Sequence, residues 1–421
     1  MSKVLSKHHC FSRLWAGLVY LILALMMTSF SGQIAYARDG AAMAAQTEGS
    51  AMIGGKPVAG TGVNGSKAGK KAGSVAVKSR SASRTHLSDG TSYGAPPSIC
   101  QLSPDDWLAW KSRFLSETGR VVDTSNKSVS HTEGQGYGLL LAQAAGDAKA
   151  FDLIWNWTRI NLPLRADGLR SWKWDPSFPE NPVQDLNAAT DGDLLIAWAL
   201  IRAEGSWGRG QYRDEAAQIA RAIRAAALVR RFGYTLLLPG PEGFIKPDGS
   251  VVVNLSYWIF PAISAVSLID PSPDWQELQA SGRQLLAKAR FGAWNLPPDW
   301  LEVSSGTLAP AAGFPAEFGW NALRIPLHLA WSGEKDAGLY APFTKFWTEA
   351  RPDGLPAPTV NLTNGSIPTY PASPGIRSIV DLTRRSLGDM AIVPQSAVLD
   401  EYYQASLSLL SIVACGSETM R

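Results

Sequence analysis

An all-α chain whose helical hairpins close into an (α/α)6 toroid is what three features of these 421 residues predict. From residue 103 to residue 414, helical patterns follow one another, about twelve in all, with short strands confined to loops. The connectors are short, so consecutive helices pack antiparallel as hairpins. Cys100 opens this region and Cys415 nearly closes it, and a ring would bring its first and last helices together. An open helical stack is the alternative. The residues themselves show no internal repeat.

The chain opens with a segment that lies outside the fold. Lys3, Lys7 and Arg13 give a basic start, Leu14 to Met27 is an apolar run, and Ala35-Tyr36-Ala37 is a small-residue cleavage site. That is the pattern of a signal peptide over residues 1–37, with the mature chain starting at Arg38. The apolar run is short for a bilayer span; an uncleaved anchor is the competing reading. Export implies a periplasmic or secreted protein with no stable membrane insertion after cleavage. Residues 38–97 are rich in Gly, Ala, Ser and Lys and carry eight basic residues against three acidic ones. Such a segment buries too little apolar surface to order itself. It reads as a flexible, basic, solubilising linker, with contact to anionic envelope surfaces as a second possibility.

The folded region, residues 98–421, starts at Ser103-Pro104-Asp105-Asp106, a strong helix start, followed by Trp107, Trp110, Phe114 and Leu115 on one face. Apolar helices are expected over 139–148 and 151–160. Thr190 is expected to cap a helix to about Glu204, and the Ala-rich stretch from Arg213 to Arg231 reads as one long helix. Further helices are expected near 257–269, 274–289, 320–332, 340–350, 378–390 and 399–414. Tyr234–Leu238 and Val251–Asn254 are the clearest strands. Several helices are apolar on more than one face, as helices buried between neighbours are.

Hydrophobic residues make up 45% of the chain, enough for a large core, and sixteen Trp supply flat faces suited to core packing or sugar stacking. The whole-chain charge of +3 misleads. The leader carries three bases and no acid, and the linker has five more bases than acids, so residues 98–421 carry −5. A mildly acidic domain argues against nucleic acid as a partner. Cys10 departs with the leader. Export permits a Cys100–Cys415 disulfide, with two buried thiols as the alternative.

Few chemistries fit. There are five His and no HExxH or paired His/Cys spacing, so no metal is expected, and no cofactor is implied. No GxSxG elbow supports a serine triad. Gly134-x-Gly136-x-Gly138 departs from the dinucleotide fingerprint, because its third glycine comes one position early. Carboxylates remain. Glu133 stands just before the Leu139 helix among glycines, which would let a ligand approach the backbone; burial there would suit a general acid. A first-turn Glu stabilised by the helix dipole is the plainer alternative. In Thr190-Asp191-Gly192-Asp193, two acids enter an otherwise apolar helix, pointing to different sides, so one of them is expected to face a ligand.

Together these stretches resemble glycoside hydrolase family 8. Ala189 to Trp207 resembles that family's signature, and His131-Thr132-Glu133-Gly134-Gln135-Gly136-Tyr137-Gly138 its proton-donor motif. Trp172-Lys173-Trp174, Asn254-Leu255-Ser256-Tyr257 and Pro297-Pro298-Asp299-Trp300-Leu301 follow in register. The likeness covers about residues 100–416 and is strongest to periplasmic endoglucanases encoded beside bacterial cellulose synthases. It implies an inverting endo-β-1,4-glucanase, with cellulose-type glucan as substrate and the cellulose-synthesis machinery as a partner. Glu133 would protonate the leaving oxygen. Asp191 would hold the distorted sugar, and Trp172, Trp174 and Tyr257 would line the cleft, with Arg324 among the substrate-binding residues.

One position breaks the pattern. The family's base lies in a Tyr-Asp-Ala-x-Arg motif, and here Trp320-Asn321-Ala322-Leu323-Arg324 keeps the Arg but puts an amide where the acid belongs. An amide cannot take water's proton. Three accounts stand open. Another carboxylate serves, Glu317 being a nearer candidate than Glu302 in the preceding loop; or Asp191 activates water positioned by Asn321; or the protein is a catalytically weak glucan binder. A chitosanase or other β-1,4-glycanase of the same family is the competing activity, since chitosanase-type members also carry Asn here.

Overall fold

The computed structural model describes residues 100–418; the expectations for the leader and the linker lie outside the described residues. Eleven α-helices appear among these residues. They are α1 Pro104–Phe114, α2 Thr132–Ala144, α3 Ala148–Asn161, α4 Thr190–Trp207, α5 Gly210–Ala226 and α6 Phe260–Ile269. Then come α7 Pro273–Lys288, α8 Ile325–Ser332, α9 Ala337–Glu349, α10 Pro374–Ser386 and α11 Tyr402–Glu418.

The helices sort into two layers by how much of each is apolar. Helices α2, α4 and α8 are buried on nearly every side, and α11 is buried from Ala405 to Cys415. With α6 they form an inner ring: α2 packs on α4, α4 on α6, α6 on α8, α8 on α11, and α11 back on α2. The outer helices are amphipathic. In α5 the buried residues Tyr212, Ala216, Ile219, Ala220 and Ile223 recur at helical spacing, and α5 lies against α4 and α6. In α1, Ser103 accepts the Asp106 N–H at 3.0 Å as an N-cap, and Trp107, Trp110 and Phe114 form the inner face. Each large apolar side chain buried this way contributes about 1.5–3 kcal/mol. The result is an (α/α)6 toroid, built among the described residues from eleven α-helices, one fewer than six full pairs. Its ends are tied where Cys100 is bonded to Cys415 in α11, with Cα atoms 5.5 Å apart.

Short antiparallel strands decorate one layer of loops. Ser130–His131 (β1) pairs with Lys173–Trp174 (β2), and Leu228–Arg231 (β3) with Tyr234–Leu237 (β4). Val251–Val253 (β5), Leu301–Ser304 (β6) and Thr307–Pro310 (β7) form a three-stranded sheet with Val252 opposite Glu302. Glu317–Phe318 (β8) pairs with Val360–Asn361 (β9).

Three expectations are corrected. The helix expected to run to Arg231 ends at Ala226, because residues 228–231 pair with β4 across a turn in which Phe232 and Gly233 both have positive φ. Thr190 does not cap α4. Ala189 occupies the N-cap with no side-chain bond, while the Thr190 hydroxyl donates to the Leu238 carbonyl at 2.7 Å. The helix expected from Leu139 begins at Thr132, so Gly134, Gly136 and Gly138 lie inside it. They serve helix packing, not close passage of a ligand. A Cβ on Gly136 would sit 2.6 Å from the Leu195 Cβ of α4, and one on Gly138 would sit 2.7 Å from Val121.

Candidate active site

Helix packing brings the two carboxylate motifs together. A Cβ on Gly192 would lie 2.4 Å from the Thr132 Cβ and 2.6 Å from the Glu133 backbone nitrogen. Bare glycine there lets the first turn of α4 rest on the first turn of α2. Glu133 and Asp191 thereby sit side by side at two helix N-termini, where the helix dipole favours negative charge. The α2 start is fixed from both sides. His131 accepts the Gly134 N–H through Nδ1 at 2.9 Å, and the Trp172 carbonyl accepts the Thr132 N–H at 2.9 Å.

Arg324 joins the two acids. It lies in a 3-10 turn, Ala322–Arg324, just before α8, and its side chain is 3% exposed. One terminal nitrogen bonds to Glu133 and donates to Asp191 Oδ2 and to the Tyr137 hydroxyl, each at 3.3 Å. The other donates to Ser256 Oγ and to Asn321 Oδ1, each at 2.9 Å. Burial works against the guanidinium charge, but Glu133, followed by other neighbours, outweighs it and raises its pKa. His328 behind it is buried and lies next to this cation, which drives its pKa down to about 3 and keeps it neutral.

Burial, and after it the Glu133 charge, pushes the Asp191 carboxyl up to about 7, so Asp191 keeps its proton toward the neutral range. The neighbouring phenol of Tyr137 is raised as well, first by burial and then by Glu133. Asp193 faces the other way. It is fully buried, its Oδ1 accepts the Arg170 N–H at 3.4 Å, and burial pushes it up to about 8.

Asn321 stands across Arg324 from Glu133. The two side chains bond to different terminal nitrogens of the same guanidinium. The nearby carboxylates come from the segment before it. Glu317 lies in β8, and its Oε1 comes within 3.1 Å of where a Cβ on Gly319 would stand; Asp299 Oδ2 comes within 2.5 Å of the same point. Glu302 is elsewhere, bonded to Lys246 at 2.5 Å and to Ser250 at 2.9 Å.

The aromatic residues take varied positions. Tyr257 is buried with the Arg324 guanidinium 5.8 Å from its ring. Trp172 is buried and donates to Asp185 Oδ2 at 2.7 Å. Trp174 is half-buried, with Arg120 lying 4.7 Å over its ring and Trp157 edge-on to it. Tyr137, Ser256, His131 and Asp299 also belong to the site, although their sequence positions alone give them no role. All four lie in segments that match family motifs, which was the available signal.

Residues 81–417 match the family model described as glycosyl hydrolases family 8. The chain belongs to this family. Among its family 8 relatives, a probable endoglucanase of Novacetimonas hansenii is 38% identical over 78% of this chain and 94% of its own length. A solved endo-β-1,4-glucanase from Acetobacter xylinum superposes with a TM-score of 0.69 at 38% identity, covering 77% of this chain and all of the other. A solved family 8 endo-β-1,4-glucanase from an Achatina fulica gut metagenomic library gives a TM-score of 0.69 and 38% identity, covering 75% and 98%. The family 8 likeness and the carboxylate pair fall on the same residues, since Glu133 and Asp191 both lie within the matched span. Among the described residues, no helix is long and apolar enough to cross a membrane.

Proposed function

We propose that this family 8 glycoside hydrolase is an exported endo-β-1,4-glucanase that cleaves cellulose-type chains with inversion. In this reading Glu133 gives its proton to the glycosidic oxygen as the bond to the anomeric carbon breaks. A water attacks that carbon from the opposite face and loses a proton to a second carboxylate. Asp191 holds the sugar hydroxyls at the cleavage point, and Arg324 orients both acids. Glu317 is the proposed base, with Asn321 fixing the water beside it. Trp172, Trp174 and Tyr257 are proposed to shape the sugar path. Residues 1–37 are proposed as a signal peptide and 38–97 as a linker. Together with the endoglucanase relatives, they fit a periplasmic or secreted enzyme working beside the cellulose-synthesis machinery.

The observation that carries this reading is the half-buried Glu133 and the buried Asp191 held on one arginine, in a chain whose relatives are endoglucanases. Asn321 favours a second reading, a β-1,4-glycanase of other specificity, such as a chitosanase, or a weak hydrolase that binds glucan. Reducing-end release from carboxymethyl cellulose, chitosan and xylan separates these. The wild type should act on the first, and Glu133→Gln should cut turnover by at least about 10²-fold with little change in binding. Wild-type turnover on chitosan alone would move the assignment to that polymer. A Glu317→Gln variant as active as wild type would remove Glu317 as the base.

A further inference from the structure

Asp299 has no part in the roles above, yet it is built into the centre of the site. It is 5% exposed. Its Oδ1 accepts two backbone N–H groups, from Gly319 at 3.0 Å and from Ala322 at 2.7 Å. Its Oδ2 accepts the Asn321 amide N–H at 3.4 Å. The Asn321 Oδ1, in turn, accepts from Arg324 at 2.9 Å, and Arg324 holds Glu133 and Asp191. The bonds run in one direction: an acid whose two oxygens accept three N–H groups, an amide that donates to it and accepts from a cation, and a cation that donates to two acids. A side chain on Gly319 would strike Asp299 Oδ2 at 2.5 Å, so that turn admits only glycine without moving the acid.

An amide has two faces of opposite polarity, and nothing in its shape decides which one points at Arg324. Here the neighbours decide. Arg324 can only donate, and both Asp299 oxygens already accept N–H groups, Oδ2 from the Asn321 amide itself. We propose that Asp299 is a positioning residue. It locks the Asn321 amide with its oxygen toward Arg324 and the catalytic acids, and so makes position 321 a fixed acceptor instead of a free rotor.

The inference rests on the glucanase reading, and a polarity swap tests it. In Asp299→Asn, two amides face each other and either can turn, so Asn321 loses its fixed orientation. In Asn321→Asp, two carboxylates face each other and must share a proton. In the double variant the bonds are all satisfied with reversed polarity. The new amide at position 299 keeps its oxygen on the Gly319 and Ala322 N–H groups and donates to the new carboxylate at position 321, which still accepts from Arg324. Each single variant should lose about 10- to 100-fold in kcat on carboxymethyl cellulose with KM nearly unchanged. The double variant should recover to wild-type kcat or above, since position 321 then carries a fixed carboxylate. Melting temperatures of all four proteins should show the same non-additive pattern, and that readout does not need a substrate. A double variant no better than the product of the singles, in both kcat and melting temperature, overturns the proposal. So does Asp299→Asn with wild-type kcat. A wild type inert on glucan, but with intact coupling in the melting temperatures, would instead overturn the substrate assignment alone.

Discussion

Gly192→Ala tests whether the contact between the first turns of α2 and α4 sets the catalytic geometry. The added methyl would lie 2.1 Å from Thr132 Oγ1, 2.4 Å from Thr132 Cβ and 2.6 Å from the Glu133 backbone nitrogen. Turning the Thr132 side chain removes the hydroxyl clash but leaves the other two. Ordinary contact begins at 3.4 Å, so the helices must part by about 1 Å at the turn that carries both acids. Overpacking of this kind costs about 1–3 kcal/mol. A displacement of about 1 Å at reacting groups costs about 10²-fold in rate. Gly205 is the control, because it lies in the same helix with open space around its Cβ position. Gly205→Ala should be neutral or stabilise by up to about 1 kcal/mol, from helix propensity alone. Thermal melting and reducing-end release should therefore separate the two variants. If Gly192→Ala melts and turns over like Gly205→Ala, the close helix contact does not position the acids.

Three further outcomes follow from the same geometry. Asp193 is buried with Oδ2 lacking a partner among the described residues, and its pKa is raised from 3.8 to about 8. The folded state therefore holds this proton more tightly than the unfolded chain. That contribution is fully present below about pH 4 and is lost as pH rises toward 8, by at most about 5 kcal/mol. Asp193→Asn should flatten the fall in melting temperature over that window, and equal slopes for the two proteins would refute it. For catalysis, burial and then the Glu133 charge hold the Asp191 carboxyl up to about 7, so kcat/KM should change as pH passes through neutrality, and Asp191→Asn should remove that inflection. An inflection that stays in place in Asp191→Asn would show that Asp191 does not titrate there. Cys100 and Cys415 lie 315 residues apart in sequence, and the chain-entropy model gives such a closure about 6 kcal/mol. Reductant should lower the wild-type melting temperature and leave that of Cys415→Ser unchanged.

How much of this was readable beforehand follows from the range of each interaction. The helices were, because the apolar spacing of α5, or the Ser103 cap before α1, is a local property of a few consecutive residues. The end of α5 was not. Leu228–Arg231 continues an Ala- and Arg-rich run that favours helix, and only pairing with Tyr234–Leu237 overrides it. The glycines of α2 misled for a similar reason. In one dimension three glycines suggest a loop open to a ligand; in three they are where Tyr402, Leu195 and Val121 approach the helix. Glu133 and Asp191 could be singled out, since an acid leading into an apolar helix is a local anomaly. Their union through Arg324 could not, because that residue lies 191 and 133 positions away.

The amide at position 321 shows the limit most plainly. Read alone, Asn321 is a lost base, and the natural expectation is that restoring the acid restores function. Within the fold it is the middle member of a polar sequence, donating to Asp299 and accepting from Arg324. A residue in that place must offer a donor to one neighbour and an acceptor to the other. An amide does this at any pH, whereas a carboxyl does it only while protonated. The chemistry available at 321 is thus set by position 299, and a change at one site acquires meaning only with the state of the other.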